Sequence, residues 1–451
     1  MSVNQSRDFT FVATGDSIIT RDLLAYEDYS TRFDNMLALL READAAFTNL
    51  EVLVHDYQSP PAGNSGGTYM RAQPSVLDTL SGMGFSLFAT ATNHTGDYGQ
   101  GGVTQTIREL ETRNLTFAGI GRNRHEARTP AYLETSAGRV GLVSGSTSMT
   151  PGSEAGVQTD ALQGRAGLNP IRVERIYSLH EQRINQLRQL SDAAGIERMK
   201  ESWLERGLYI GHDWNDNDYF HFGDMKFVPS SEENEGISYE IDDSDRDDFT
   251  RWVSEADATA DWVVASIHSH QGFEGRQNTP ETPQFLIKLA HDCVNSGADI
   301  VVCHGPHVLR GIELYEGKPI FYSLGNYIVQ NETVSRLPAE SFERYDLDTE
   351  ATVTDIFNKR LLDDSGEAIG DLANDAFWKT VIPVCSFNHN KLTKIELYPC
   401  SLQRQQPKPQ RGIPILADSQ AQSIIQDLSD LSEEFGTEIN IENGIGVISM
   451  N

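Results

Sequence analysis

The 451-residue chain is poor in several features, and each shortage narrows what it can be. Its cysteines are Cys293, Cys303, Cys385 and Cys400, and no two form a CxxC pair. That excludes paired-thiolate metal sites and CxxC redox chemistry, leaving scattered buried thiols. Basic residues are scarce: 36 Lys plus Arg stand against 66 Asp plus Glu, a formal net charge of −30. Such a surface repels phosphate backbones, so nucleic acid is not an expected partner. No apolar run reaches membrane-spanning length, and the opening MSVNQSRDFTFVATGD has neither a basic segment nor an apolar one after it. The expectation is a soluble, cytoplasmic protein with no membrane partner. A GxxxxGK[ST] phosphate cradle is also missing.

What is present is organised around Asp299–Tyr327, DIVVCHGPHVLRGIELYEGKPIFYSLGNY. Ile300–Cys303 is apolar at every position, as suits a strand covered on both faces. It breaks into a turn carrying His304 and His307, where open α/β sheets place their ligands. A strand pair follows and closes at Ser323-Leu324-Gly325-Asn326. The same arrangement recurs along the chain. Phe9–Thr14 reads as a strand delivering Asp16, whose alternative use is to cap a helix starting near Thr20. After a helix over Arg32–Ala43, the segment Asp44–Glu51 is a strand ending in Glu51.

Residues 58–69 are loop by composition. A helix over Pro74–Met83 and a strand over Phe85–Ala91 lead to Thr92-Asn93-His94-Thr95-Gly96-Asp97, with Asp97 expected to cap the helix through Val103–Thr112. Leu115–Ile120 and Arg139–Ser144 add strands. The character changes over 151–250: Val173–Leu190 reads as a long polar helix, and Tyr209–Phe227 is crowded with aromatics, Trp214 among them. His212 and His221 read as surface or contact residues. Ile241–Asp248 is an acidic run expected to be solvated. The core pattern resumes at Trp262–Ile267, ending in His268-Ser269-His270, with both imidazoles on one face of an extended segment. A helix over Phe285–Ser296 follows. Beyond residue 331 come strands at Lys379–Phe387 and Leu392–Pro399, a helix over Ser419–Phe435 and a last strand near Gly446.

The strand-end residues together are Asp16, Glu51, Asn93, His94, His268, His270, His304 and His307. Imidazole, carboxylate and amide donors without thiolates suit a divalent transition metal, Mn, Fe or Zn. They outnumber the needs of one tetrahedral site, which favours two ions sharing a carboxylate.

Six segments, GDSI, FTNLE, ATNHTGDYGQGG, AGIGRNRHEARTP, the HSH strand end and HGPHVLRGIELYEGKPIFYSLGNYI, occur in the order found in one family. The sequence resembles the CapA-like branch, associated with capsule and poly-γ-glutamate synthesis, of the calcineurin-like metallophosphoesterases. The resemblance covers roughly residues 9–150 and 260–330. It implies an α/β fold, a four-layer αββα sandwich with the metal site at the strand ends. Residues 1–150 and 255–330 would form the core, 151–254 an insertion serving as lid or recognition element, and 331–451 a C-terminal extension completing the sandwich. It further implies Asp16 as ligand to one metal, Glu51 as the bridging carboxylate, Asn93 as ligand to the second metal and His94 as the acid that protonates a leaving group. The family's His-Pro-His stands here as Gly305-Pro306-His307, and His-Trp-Gly as His268-Ser269-His270. One histidine is thus lost and two others, His270 and His304, are at hand to replace it.

The leading reading is a metal-dependent hydrolase acting on a phosphoester or amide of a small-molecule or peptide substrate. An alternative is a metal-dependent peptide epimerase, with Asp16 and His304 as the proton-moving pair. A third is a non-catalytic metalloprotein scaffold.

Overall fold

The computed structural model describes residues 8–28, 30–207 and 218–450. Two mixed sheets lie face to face. The ten-stranded one runs, in order, through 440–442, 445–449, 391–401, 379–388, 8–18, 45–50, 87–89 and 116–118. Strand Asn326–Val329 also pairs with the first strand, bringing Asn326 beside Asp16, and the tenth, Ile415–Leu416, pairs with 391–401. The six-stranded sheet runs through 312–315, 318–321, 300–304, 262–268, 139–146 and 131–134.

Period-two alternation decides which layer each side chain enters. Phe9, Phe11, Ala13, Phe47, Trp262, Val264, Ile300 and Val302 fill the space between the sheets. Phe9 stacks on Trp262 with ring centroids 4.0 Å apart, and truncating either ring costs about 3–5 kcal/mol. Val12 and Ala46 face the opposite way, towards helices Thr31–Glu42, Ser75–Met83 and Gly99–Thr112. Val263, Ala265, Val301 and Cys303 face helices Asp243–Asp257 and Gln284–Asn295. The result is the four-layer sandwich of the metallophosphoesterase type. The C-terminal hairpin, Lys379–Asn388 with Lys391–Ser401, extends the larger sheet directly beside the first strand.

Several expectations need correction. No helix starts near Thr20; its N–H donates to Gln330 Oε1 (2.8 Å), and the chain reaches the helix at Thr31 through a single turn at Leu24–Tyr26. The segment read as one long polar helix is a strand, Val173–His180, followed by helix Glu181–Ala194. That strand joins Phe220–Phe222, Met225–Ser230 and Gly236–Ile241 in a separate four-stranded sheet. His221 is buried in it rather than on the surface, while His212 and Trp214 lie outside the described residues. The acidic run is not wholly solvated: Asp242 caps the helix it opens, and Asp245 is buried between Arg124 and Arg172. That helix packs Phe249, Val253 and Ala256 onto the smaller sheet, so the boundary drawn at 254 crosses an element of the core. All four cysteines are free and buried.

Candidate metal centre

The strand ends of the two sheets meet over one site. The first strand passes close to the Leu324-Gly325 turn, and a Cβ on Gly15 would lie 1.8 Å from the Gly325 carbonyl oxygen. Only glycine fits there. The next residue, Asp16, donates its N–H to that carbonyl (3.1 Å), which fixes the direction of its carboxylate. Asp16 Oδ1 accepts from Asn49 Nδ2 (2.8 Å), and Oδ2 accepts from the Gly305 N–H (3.1 Å) and lies 3.3 Å from His307 Nδ1. His307 reaches it from a left-handed backbone (φ 60°), with Nδ1 2.9 Å from Asn326 Oδ1.

Strand Trp262–His268 and the residues after it supply the centre. His268 Nδ1 is 2.9 Å from His304 Nδ1, and its Nε2 is 2.9 Å from Asn93 Oδ1 and 3.2 Å from His270 Nε2. Asn278 Oδ1 sets the ring of His270 through Nδ1 (2.8 Å). Around Glu51 stand three Nε2 atoms, of His268 (3.8 Å), His94 (3.9 Å) and His270 (4.0 Å). Three overlapping groups hold ligand atoms within 4.8 Å of one another: Asp16, His268 and His304; Glu51, His268 and His270; Asp16, Glu51 and His307.

The donors fit a divalent cation on a further ground. Glu51 is wholly buried, and among the described residues neither of its oxygens has a hydrogen-bond partner; Asn49 Oδ1 is likewise unpartnered. Buried acceptors are satisfied as a rule, and a carboxylate facing imidazole nitrogens suits a metal ion. Electrostatics agree. Burial, with Asp16 adding to it, pushes the Glu51 carboxyl well above its ordinary range. Burial also pushes on Asp16, but the hydrogen bond and charge of His307 outweigh it and hold that carboxyl below its usual value. Burial and neighbouring imidazoles push His268 well down and His270 to about 3, and burial takes His304 to about 4. These rings are kept neutral, the form that ligates metal.

A cavity of about 740 Å³ opens over the centre, with Asn93, His94, His270 and His307 in its wall. His94 is held by Asp97, whose Oδ2 lies 2.7 Å from Nδ1. Asp97 was expected to be a helix cap, but the helix starts later, at Gly99, with Tyr98 in the capping place. Asp97 instead accepts from the N–H groups of Gly66 (3.0 Å) and Met70 (2.7 Å), tying the 58–69 loop to His94. Gly66 is pressed onto Asn93: its carbonyl takes Asn93 Nδ2 (2.9 Å), and a Cβ there would sit 2.4 Å from the Asn93 carbonyl oxygen.

Asp16 and His304 were offered above as proton carriers. Both are wholly buried, and neither lines the cavity. The ring nitrogens of His304 face His268 Nδ1 (2.9 Å) and Ser266 Oγ (2.7 Å). Sequence reasoning missed Asn49, Asn278 and Asn326. Asn49 was detectable, since it stands two residues before Glu51 and so shares its strand face.

A two-sheet sandwich with histidines, carboxylates and an amide at its strand ends defines a metallophosphoesterase-type protein. The profile of the family described as "Bacterial capsule synthesis protein PGA_cap" matches residues 10–331, and the chain belongs to that family, the CapA-like branch of the superfamily. "Uncharacterized protein y4sH" of Sinorhizobium fredii is 33% identical over 450 residues, 98% of this chain and 93% of its own. "Capsule biosynthesis protein CapA" of Bacillus anthracis is 22% identical over 329 residues, 72% of this chain and 60% of its own. "PGA biosynthesis protein CapA" of Bacillus subtilis is 41% identical over 85 residues, 19% of this chain and 21% of its own. Among the described residues no helix is long and apolar enough to cross a membrane.

Proposed function

We propose that the chain is a metal-dependent hydrolase that cleaves a phosphoester or amide in a small-molecule or peptide-like substrate. The observation that carries this reading is Glu51, a buried carboxylate without a hydrogen-bond partner among the described residues, ringed by imidazole nitrogens of which those of His94 and His270 belong to residues of the cavity wall. Asp16, Glu51, Asn93, His268, His270, His304 and His307 would hold one or two divalent ions, Mn, Fe or Zn. When bound, such ions lower the pKa of water and offset negative charge developing on substrate oxygens.

The chain's own residues do the rest. Asp97 fixes His94 by Nδ1, so that Nε2 is the atom that exchanges a proton with a leaving group. Asn278 orients His270 in the same manner. The 65–68 loop seals one side of the pair formed by Asn93 and His94. Epimerisation needs two proton-moving groups on opposite faces of one carbon. The pair the sequence offers, Asp16 and His304, is buried away from the cavity, and this favours hydrolysis.

The test is His94→Ala. Turnover of an alkyl phosphoester should fall about 10²–10⁴-fold, while an activated aryl ester, whose leaving group needs no proton, should be affected far less. Metal content should be unchanged. Equal losses on both esters would refute the role of His94. Deuterium uptake at an α-carbon without bond cleavage would replace hydrolysis with epimerisation.

A further inference from the structure

The cavity over the centre has two arginines in its wall, Arg172 and Arg360, and their circumstances differ. Arg172 is committed. Its Nε and Nη2 take both oxygens of Asp245 (2.6 and 2.9 Å), and Asp242 lies 3.5 Å away. Arg360, from helix Val353–Leu361, donates to Thr68 Oγ1 (2.9 Å) and meets Asp371 only at 3.3 Å. The Asp371 side chain is 44% exposed. A pair so open to water holds its cation weakly, and an incoming anion can take the guanidinium over. The other rim acids do not compete for it, since Glu154 pairs with Arg165 and Glu174 with Lys226.

Arg360 also stands at a junction. A second cavity of about 300 Å³ shares Gly67, Thr68 and Arg360 with the first, and Arg344 is in its wall. Among the described residues Arg344 makes no ion pair. At the other end, Thr68 follows Gly67, where a Cβ would lie 3.7 Å from Cε1 of His94. The path from His94 past Thr68 and Arg360 towards Arg344 therefore carries positive charge in a chain of formal net charge −30. An arginine fork matches the two oxygens of a carboxylate or phosphate.

We propose that Arg360, with Arg344 behind it, forms a subsite for an oxyanion group, a carboxylate or a phosphate, borne on the substrate away from the bond that is cleaved. The inference rests on the metal-dependent reading for what the other end of the substrate meets. A tail of this kind gains the guanidinium, and a neutral tail leaves Arg360 with Asp371 and gains nothing. The helix that carries Arg360 lies beyond residues 10–331, so tail selection is built on a different part of the chain from the metal ligands.

The experiment is calorimetric titration of the full chain loaded with Mn(II). The probes are carboxyalkylphosphonates of increasing length, the matching bisphosphonates, and alkylphosphonates with a neutral end. At a matching length the anionic tail should bind about tenfold tighter than the neutral one, or more, and the better of the two anionic tails identifies the source. Arg360→Met should erase that advantage while leaving alkylphosphonate affinity, metal content and Tm unchanged. Arg360→Lys should retain part of it, and Arg344→Met should act only on the longer probes. No tail preference at any length in the wild type overturns the subsite. So does an Arg360→Met variant that weakens charged and neutral tails alike, since that is a structural effect. If no phosphonate binds the wild type, the metal-centred reading has failed; alkane dicarboxylates are then titrated, and binding indifferent to Arg360→Met overturns the subsite as well.

Discussion

Replacing Glu51 with glutamine should stabilise the metal-free protein and destabilise the metal-loaded one. The carboxylate is wholly buried, neither oxygen has a hydrogen-bond partner among the described residues, and the nearest imidazole nitrogens are 3.8–4.0 Å away. A buried polar group left without a partner costs about 1–3 kcal/mol, and more if charged. Without metal, Glu51→Gln keeps the shape and stays neutral without having to hold a proton, so above pH 4.5 stability should rise by about 1–3 kcal/mol. With metal the order reverses, because each tenfold loss in metal affinity removes up to about 1.4 kcal/mol of linked stabilisation.

The pH dependence follows from the same group. Its folded-state pKa is raised well above 4.5, so above that pH the unfolded chain releases a proton that the native chain retains. Metal-free stability is therefore lost as pH rises, and the advantage of glutamine grows from near zero at pH 4.5. Urea unfolding followed by both tryptophan fluorescence and far-ultraviolet circular dichroism, with chelator or with excess Mn(II), measures both signs. A metal-free Glu51→Gln variant less stable than the wild type would refute the reasoning.

The histidines act in the opposite direction. His270 and His304 titrate at about 3 and about 4 against an ordinary 6.5, so the unfolded chain binds protons below 6.5 that the native chain refuses. Their contribution is lost as pH falls from about 6.5 towards 4, and urea midpoints of the Glu51→Gln variant should show that slope undiluted. Bound metal should leave over the same range as protons displace it from the imidazoles, which a colorimetric chelator reads directly. Gly66→Ala would place a carbon 2.4 Å from the backbone oxygen of Asn93. The loop must then move and Asn93 with it, so metal affinity should drop about tenfold with secondary structure intact; unchanged affinity would show that Asn93 contributes little.

Much of the sandwich was legible because strands buried on both faces read as apolar runs, as in Trp262–Ala265 and Ile300–Cys303. The ligand candidates were legible because they sit where those runs stop. Val173–His180 was misread for the converse reason: only Ile176 is buried along it, so its sequence lacks the alternation that marks a half-buried strand. Asp97 was misassigned because a cap and a histidine partner ask for the same residue beside the same helix start. Its use was decided by Gly66 and Met70, which donate to it from about thirty residues earlier. The importance of the 58–69 loop was invisible for the same reason. Composition marks it as a loop, but its pressure on Asn93 exists only once the chain is folded.

Every one of the three ligand groups draws on both halves of the chain: Asp16 or Glu51 from the strands before residue 60, and His268, His270, His304 or His307 from those after residue 260. Neither part supplies any of the three groups by itself. During synthesis none of the three groups is complete until His270 has left the ribosome and the second sheet has closed against the first. An ion held by any of these groups would join the two layers, and its uptake would follow their assembly.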